Sequence, residues 1–432
     1  MSPTNGALHC PPELLGVIFE HTLPRIAQRT SAHSSPLLLM QVCRHWHDVA
    51  QATPSLWSSL DFGNRGSPEL LARYLERCAG HPLNLTLSSH TLPLANAYAI
   101  VIRPYAAQFR SLKLQVPAQT IQSLSGLEPM PLLEQISLLV ERQDLDSSSA
   151  GFHIPPNAAP RLRSVFLELP PNTLELTLPW SQITQLHSRL HTADDALRLI
   201  AKCPKLHRVS CVVTSIRTPP TISTNIVCPD LETVQASPIL FPHLTLPSLR
   251  ALVLGNDHIM TLARVSAEVT SLLQRSASGP SCKLASLALR IDGQPLHHLA
   301  AILHADAAGR DLTHLHLTLS HPRGIELYSD VFLEDSVLPH LEHLEIVDLG
   351  GGRKFGPLLA ALGSRAGAGL KRFELTLGQR APRAPWETDV GKRVVSEEQL
   401  QRFREIAGKG VSVRIQMTAD GVQTVLDLKS TS

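Results

Sequence analysis

Between Val42 and Ala50 the chain reads VCRHWHDVA. Cysteine, histidine, arginine and aspartate are the side chains that ligate metals, carry protons or act as nucleophiles. The spacing argues against that chemistry. His45 and His47 stand at i and i+2, which point apart on a helix, so they cannot share a metal. Cys43 and His47 stand at i and i+4, but Cys43 falls on an apolar stripe with Val42 and Trp46. The stretch reads as a core cysteine with solvated histidines.

A second group lies in THLHLTLSH and LEHLEI, with Arg372 and Glu374 following one repeat later. On a strand, alternate residues share a face. His314 and His316 would lie on one side, away from Leu315 and Leu317, and His343 and Glu345 would take equivalent places on the next strand. Neighbouring strands are roughly 5 Å apart, so this set has the residue types for a zinc site. It reads rather as the polar, ligand-facing surface of a concave sheet. His314, His316, His343, Glu345, Arg372 and Glu374 together read as one ligand-facing surface, with no metal.

The loop LGGGRKFGP (349–357) fits neither GxGxxG nor GxxxxGK[ST], and GxSxG, HExxH and CxxC are absent. Asp194–Asp195 and Glu397–Glu398 read as helix-start acids. No catalytic residue and no cofactor is assigned, and the chain is expected not to be an enzyme.

The elements that would position these residues follow from periodicity. PPELLGVIFEHTL puts Leu14, Leu15, Ile18, Phe19 and Leu23 on one helical stripe, with Pro12 and Glu13 in the first turn. SSPLLLMQVCRHWHDVAQAT reads as one helix capped by Ser35, burying Leu39, Val42, Cys43, Trp46, Val49 and Ala50. RIAQRTSAHSS between them is polar and reads as a loop.

After Leu60 one pattern returns: apolar, two others, apolar, any, apolar. It occurs at 109–114, 133–138, 162–167, 206–211, 231–236, 249–254, 284–289, 312–317, 341–346 and 370–375. The last four copies start 28 or 29 residues apart, the period of leucine-rich repeats. Helix-like pieces fall between them at 263–277, 295–309 and 356–367. Ser396 and Gln399 have capping-box spacing before a last helix, and VSVRIQ (411–416) would be a last strand. The asparagine such repeats usually carry is replaced by Asp257, Asp292 and Ser320, so the array is irregular.

Composition bounds the reading. The chain has 432 residues, 43 % apolar and 18 % charged, enough for a large core. Aromatics are 4 %, so that core is aliphatic. A net charge of +2 with no basic stripe gives no pull toward nucleic acid or an anionic membrane. Seven scattered cysteines read as reduced thiols in an intracellular protein, cytoplasmic or nuclear. The first residues show no signal-peptide pattern, and the uncharged stretch 81–102 is broken by polar residues and proline, so no membrane segment is expected.

The first sixty residues resemble an F-box. PPELLGVIF, from Pro11–Pro12–Glu13–Leu14–Leu15, is similar to the opening of that family. Val42, Cys43, Arg44 and Trp46, with Pro54–Ser55–Leu56–Trp57, are similar to its closing half. Cys10 stands where the family usually has leucine, and the loop between the helices is longer than in its compact form. The long-loop variant, followed by WSSL, LERxxxHPL and a divergent leucine-rich array, resembles F-box-like proteins abundant in mushroom-forming fungi.

The resemblance implies an α/β fold: a helical F-box over residues 1–60, an irregular leucine-rich-repeat solenoid with a parallel concave sheet over 61–418, and a tail over 419–432. It implies docking onto a Skp-type adaptor of a cullin ubiquitin ligase, with the solenoid binding the target protein. The adaptor-binding residues would be Pro11, Pro12, Leu14, Leu15, Ile18 and Phe19 from the first helix. The second half would add Leu39, Val42, Cys43, Trp46, Val49 and Trp57. The alternative is a repeat scaffold whose F-box-like helices only cap the array.

Overall fold

In a computed structural model of the chain, the described residues are 10–22, 36–64, 66–127, 129–140, 150–169, 174–215, 220–222, 224–254, 262–276, 283–291, 302–303, 311–320, 325, 338–349, 355–367, 369–378, 395–419 and 422–428. They form a mixed α/β fold with mostly parallel sheet and no closed barrel. The chain divides into two compact units, Met1–Asp195 with Lys202–Pro204, and Ala196–Ala201 with Lys205–Ser432.

The first unit opens with helices α1 (Pro12–Thr22) and α2 (Arg44–Gln51), separated by a 3-10 turn at Leu39–Gln41. Residues 36–53 are therefore not the single helix their periodicity suggests. Cys43 is extended, at φ −162°, and its Sγ accepts the backbone N–H of Trp46 at 3.4 Å. This N-cap starts α2 afresh and turns Trp46 onto Phe19 of α1, ring centres 5.0 Å apart.

Trp57 ends the next 3-10 turn, Pro54–Trp57, and is fully buried. Its indole N–H donates to the Ala50 carbonyl at 2.9 Å, and the Tyr74 ring meets it edge-on at 5.0 Å. The Arg77 guanidinium lies 4.4 Å from the ring centre, and the Cys78 thiol donates to the Trp57 carbonyl at 2.8 Å. Burial pushes the Cys78 thiol up to about 12, so it is an inert core group. Trp57 thus ties residues on both sides of the expected break at residue 60 into one unit. A strand, Val422–Leu428, lies within the segment expected as a tail.

The strands of the first unit are β1 (Ser59–Phe62), β2 (Leu83–Ser88), β3 (Phe109–Gln115), β4 (Gln135–Leu139), β5 (Ala150–His153), β6 (Ser164–Glu168), β7 (Leu174–Thr177) and β8 (Gln185–Leu190). β1, β2, β3, β4, β6 and β8 pair parallel in that order, and β5 pairs with β7 apart from them. Helices α3 (Pro68–Arg77), α4 (Leu92–Ile102) and α5 (Ala118–Ser123) return the chain between strands, and α6 (Ala193–Ala201) follows β8 in sequence. Parallel neighbours require such crossovers.

The second unit holds β9 (Arg208–Val213), β10 (Ile226–Val227), β11 (Thr233–Ala236), β12 (Leu244–Thr245), β13 (Ala251–Leu254), β14 (Ser286–Ile291), β15 (His314–Leu319), β16 (His343–Asp348), β17 (Arg372–Leu377), β18 (Ser412–Ala419) and β19 (Val422–Leu428). β9, β11 and β13 through β18 pair parallel, while β10 pairs with β12. The helices described here are α7 (Leu262–Ser276), α8 (Gly356–Arg365) and α9 (Glu397–Gly408), the last starting with the expected Ser396–Gln399 capping box. β19 runs antiparallel to β18, so residues 419–432 are not simply a tail. Arg414 fastens this strand by donating to both Asp427 oxygens, at 2.7 and 3.4 Å.

All ten copies of the sequence pattern supply strands, and their apolar positions are the buried ones. The helix-like piece at 295–309 is described only at Ile302 and Leu303, both buried. Glycines 350–352, Asp257 and Asp292 lie outside the described residues. Ser320 is described, and its buried hydroxyl has no partner among the described residues. Among the described residues no helix is long and apolar enough to cross a membrane.

Two substitutions test the Trp57 cluster. Trp57→Ala removes a buried indole and its hydrogen bond and is expected to cost about 4 kcal/mol. Tyr74→Phe is expected to raise stability by about 1 kcal/mol, because the Tyr74 hydroxyl is buried without a partner. Urea unfolding of the full chain followed by circular dichroism measures both.

Candidate functional site

The first candidate surface lies on α1 and the turn after it. Leu15 and Phe19 face inward against α2, while Leu14, Val17, Ile18, Leu38 and Val42 are 48 to 57 % exposed. Pro11 and Pro12 are exposed, and Cys43 and Trp46 are half-buried. The expected adaptor-binding set therefore splits. Leu15, Phe19, Leu39, Val49 and Trp57 are buried within the unit and present no surface to a partner. Their part is to hold the exposed half in place.

Sequence reasoning missed Val17 and Leu38. Leu14, Val17 and Ile18 sit at i, i+3 and i+4, the spacing of one helical face, so the signal was present. It was masked because Leu15 and Phe19 make a second apolar stripe on the same helix, and periodicity does not say which stripe is covered. The histidines are occupied locally. His45 Nε2 lies 3.1 Å from the Cys10 carbonyl, and His47 Nδ1 lies 3.3 Å from Asp48.

The second candidate surface is the polar face of β14–β17. In-register pairing sets Ser286, His314, His343 and Arg372 side by side in one row. The next row is Ala288, His316, Glu345 and Glu374. All six expected face residues come together here, around an open depression of about 270 Å³. Arg414 on β18 continues the second row beside Glu374, a position the sequence reading did not assign.

The contacts are specific. The His314 and His343 rings are 4.3 Å apart and tilted by 45°. His316 Nδ1 lies 2.8 Å from Glu345, and its Nε2 lies 3.2 Å from the Thr318 hydroxyl. Arg372 pairs with Glu374 along its own strand. His314 Nδ1 lies 2.8 Å from the Thr313 hydroxyl. At the strand starts Lys371 donates to Glu342 at 2.7 Å, which holds the Glu342 carboxyl below its usual range.

Partial burial lowers the pKa of His343, with the nearby His314 and Arg372 acting in the same direction. Among the described residues no group of three or more His, Cys, Asp and Glu side chains is arranged to hold a metal. The arrangement is suited to ionic and hydrogen-bonded recognition.

In the unfolded chain the His343 imidazole takes its proton near the ordinary value of 6.5, and in the fold only at lower pH. The unfolded state then binds more protons in that window, so stability falls as pH drops below 6.5. His343→Asn is expected to make thermal unfolding midpoints between pH 7 and 5 fall less steeply than in the wild type. A scan of protein-family models finds no match to this chain, and no curated protein matches it.

Proposed function

We propose that this protein is a substrate-recognition subunit of a Skp–cullin–F-box ubiquitin ligase. Its N-terminal helices act as an F-box that docks onto the Skp-type adaptor. The later strands act as an irregular leucine-rich array that binds the protein to be ubiquitinated, in the cytoplasm or nucleus. The chain performs no bond chemistry. It raises the local concentration of a target lysine beside the charged ubiquitin carrier.

One observation carries the reading. Leu14, Val17, Ile18, Leu38 and Val42 stay exposed on short elements whose other faces are packed. Leu14, Val17 and Ile18 share one face of α1, and apolar side chains left exposed on one helix face mark partner surfaces that solubility otherwise disfavours. They belong to the two segments that resemble the F-box. The second reading is a scaffold whose helices only close the sheet. It draws on the buried half, since Trp57 and its partners pack the helices against the first strands.

Mixing the full chain with a purified Skp adaptor and separating by size exclusion tests the choice. A stoichiometric complex is expected. Leu14→Asp with Ile18→Asp changes two exposed side chains, so the fold is retained while adaptor affinity falls at least about 100-fold. No complex from the folded wild type would leave the scaffold reading.

A further inference from the structure

The depression on the polar face of β14–β17 has a property that its residue list alone does not show. Its lining contains one arginine, two glutamates and three histidines. With the imidazoles neutral its net charge is −1, and with all three protonated it is +2.

Among the described residues, the neighbouring charges are largely paired. Glu342 and Lys371, the charged groups at the strand starts, neutralise each other at 2.7 Å. Arg414, on the strand beyond Glu374, is paired with Asp427. Arg290 of β14 lies two rows away, opposite Thr318. Against the two tilted rings lie the uncharged Ser286 and Thr313, the cationic Arg372, and the Glu342–Lys371 pair.

Geometry sets the shape of the ligand. His314, His343 and Arg372 are register partners on three successive strands. At roughly 4.8 Å per strand, they span about 10 Å, more than one carboxylate or phosphate can bridge. An extended chain bearing several carboxylates matches that row. It would also relieve the repulsion between the His314 and His343 rings once both are charged. Glu345 and Glu374 in the next row oppose an anion while the histidines are neutral.

From this geometry we infer that the depression is a proton-gated binding site for an extended acidic peptide segment, closed to it when the imidazoles are neutral and open when they carry protons. The inference rests on the proposed reading of this face as the target-binding surface, and it names the class of target segment.

The test uses the full chain and a fluorescein-labelled hepta-glutamate peptide, followed by anisotropy at pH 7.5 and 5.5. The peptide side chains remain largely ionised at the lower pH, since glutamate titrates near 4.3. Affinity is expected to rise about tenfold or more on acidification. In the double variant His314→Asn, His343→Asn the rise is expected to shrink below about twofold. Arg372→Gln is expected to weaken binding at both pH values.

An equal rise in the double variant, or no binding at pH 5.5, overturns the inference. So does displacement by inorganic phosphate at the same concentration as unlabelled peptide, because the site would then be one for small anions. Size exclusion of the wild type with the Skp adaptor, beside its peptide titration, separates the two readings. Adaptor binding without the peptide effect removes only the acidic-segment inference, and the peptide effect without adaptor binding removes only the ligase reading.

Discussion

In-register parallel pairing of strands whose alternate residues are apolar is the constraint on which the second unit depends. Leu287, Leu315, Leu344, Phe373 and Val413 are register partners across five strands, and Leu289, Leu317, Ile346, Leu375 and Ile415 form the next such row. These side chains are buried. A slip of one residue would turn every one of them to the polar face and bring His316 or Glu345 into the core. Burying the apolar rows therefore fixes the polar rows too. The His314–His343 contact is a by-product of leucine packing, which holds it more firmly than the exposed ion pairs around it.

The first unit solves a different problem at its start. β1 is short and sits at the end of its run of paired strands. Trp57, immediately before it, fills the space between the helices and α3 with one large side chain whose polar N–H is satisfied by Ala50. Once that anchor and Phe19 are placed, the inner stripe of α1 is committed. The outer stripe at Leu14, Val17 and Ile18 has no packing task in the unit.

Much of this was legible from sequence because the apolar spacing of a half-buried strand is strict. The positions where reading failed are those where a side chain departs from the rule while the backbone keeps it. β8 was missed because Ser188 occupies a buried place that holds an apolar residue elsewhere, and the burial alternation continues through it. β10 and β12 have two residues each, too few for any period. β19 was read as tail because it is antiparallel and follows β18 directly, outside the repeat. The second helix was overextended because periodicity does not register the extended backbone at Cys43. The polar face was found intact, since alternation alone sends His314, His316, His343 and Glu345 to one side. The apolar surface was found only in part, because both stripes of α1 are apolar and tertiary packing chooses between them.

The two surfaces also differ in what controls them. An interface built on Leu14, Ile18 and Val42 draws on removal of apolar area from water, which salt and mild acid leave nearly unchanged. A face built on His314, His343, Glu345 and Arg372 is partly exposed and rests on charge, so ionic strength screens it over roughly 10 Å and protons reset its sign. A protein that must stay attached to one partner while exchanging another is served by that division. The apolar contact is, under the proposed reading, constant across conditions, and the ionic one is adjustable. Under the proposed reading, the permanent partner is met by the side chains that packing left over, and the variable one by the side chains that the sheet register forced together.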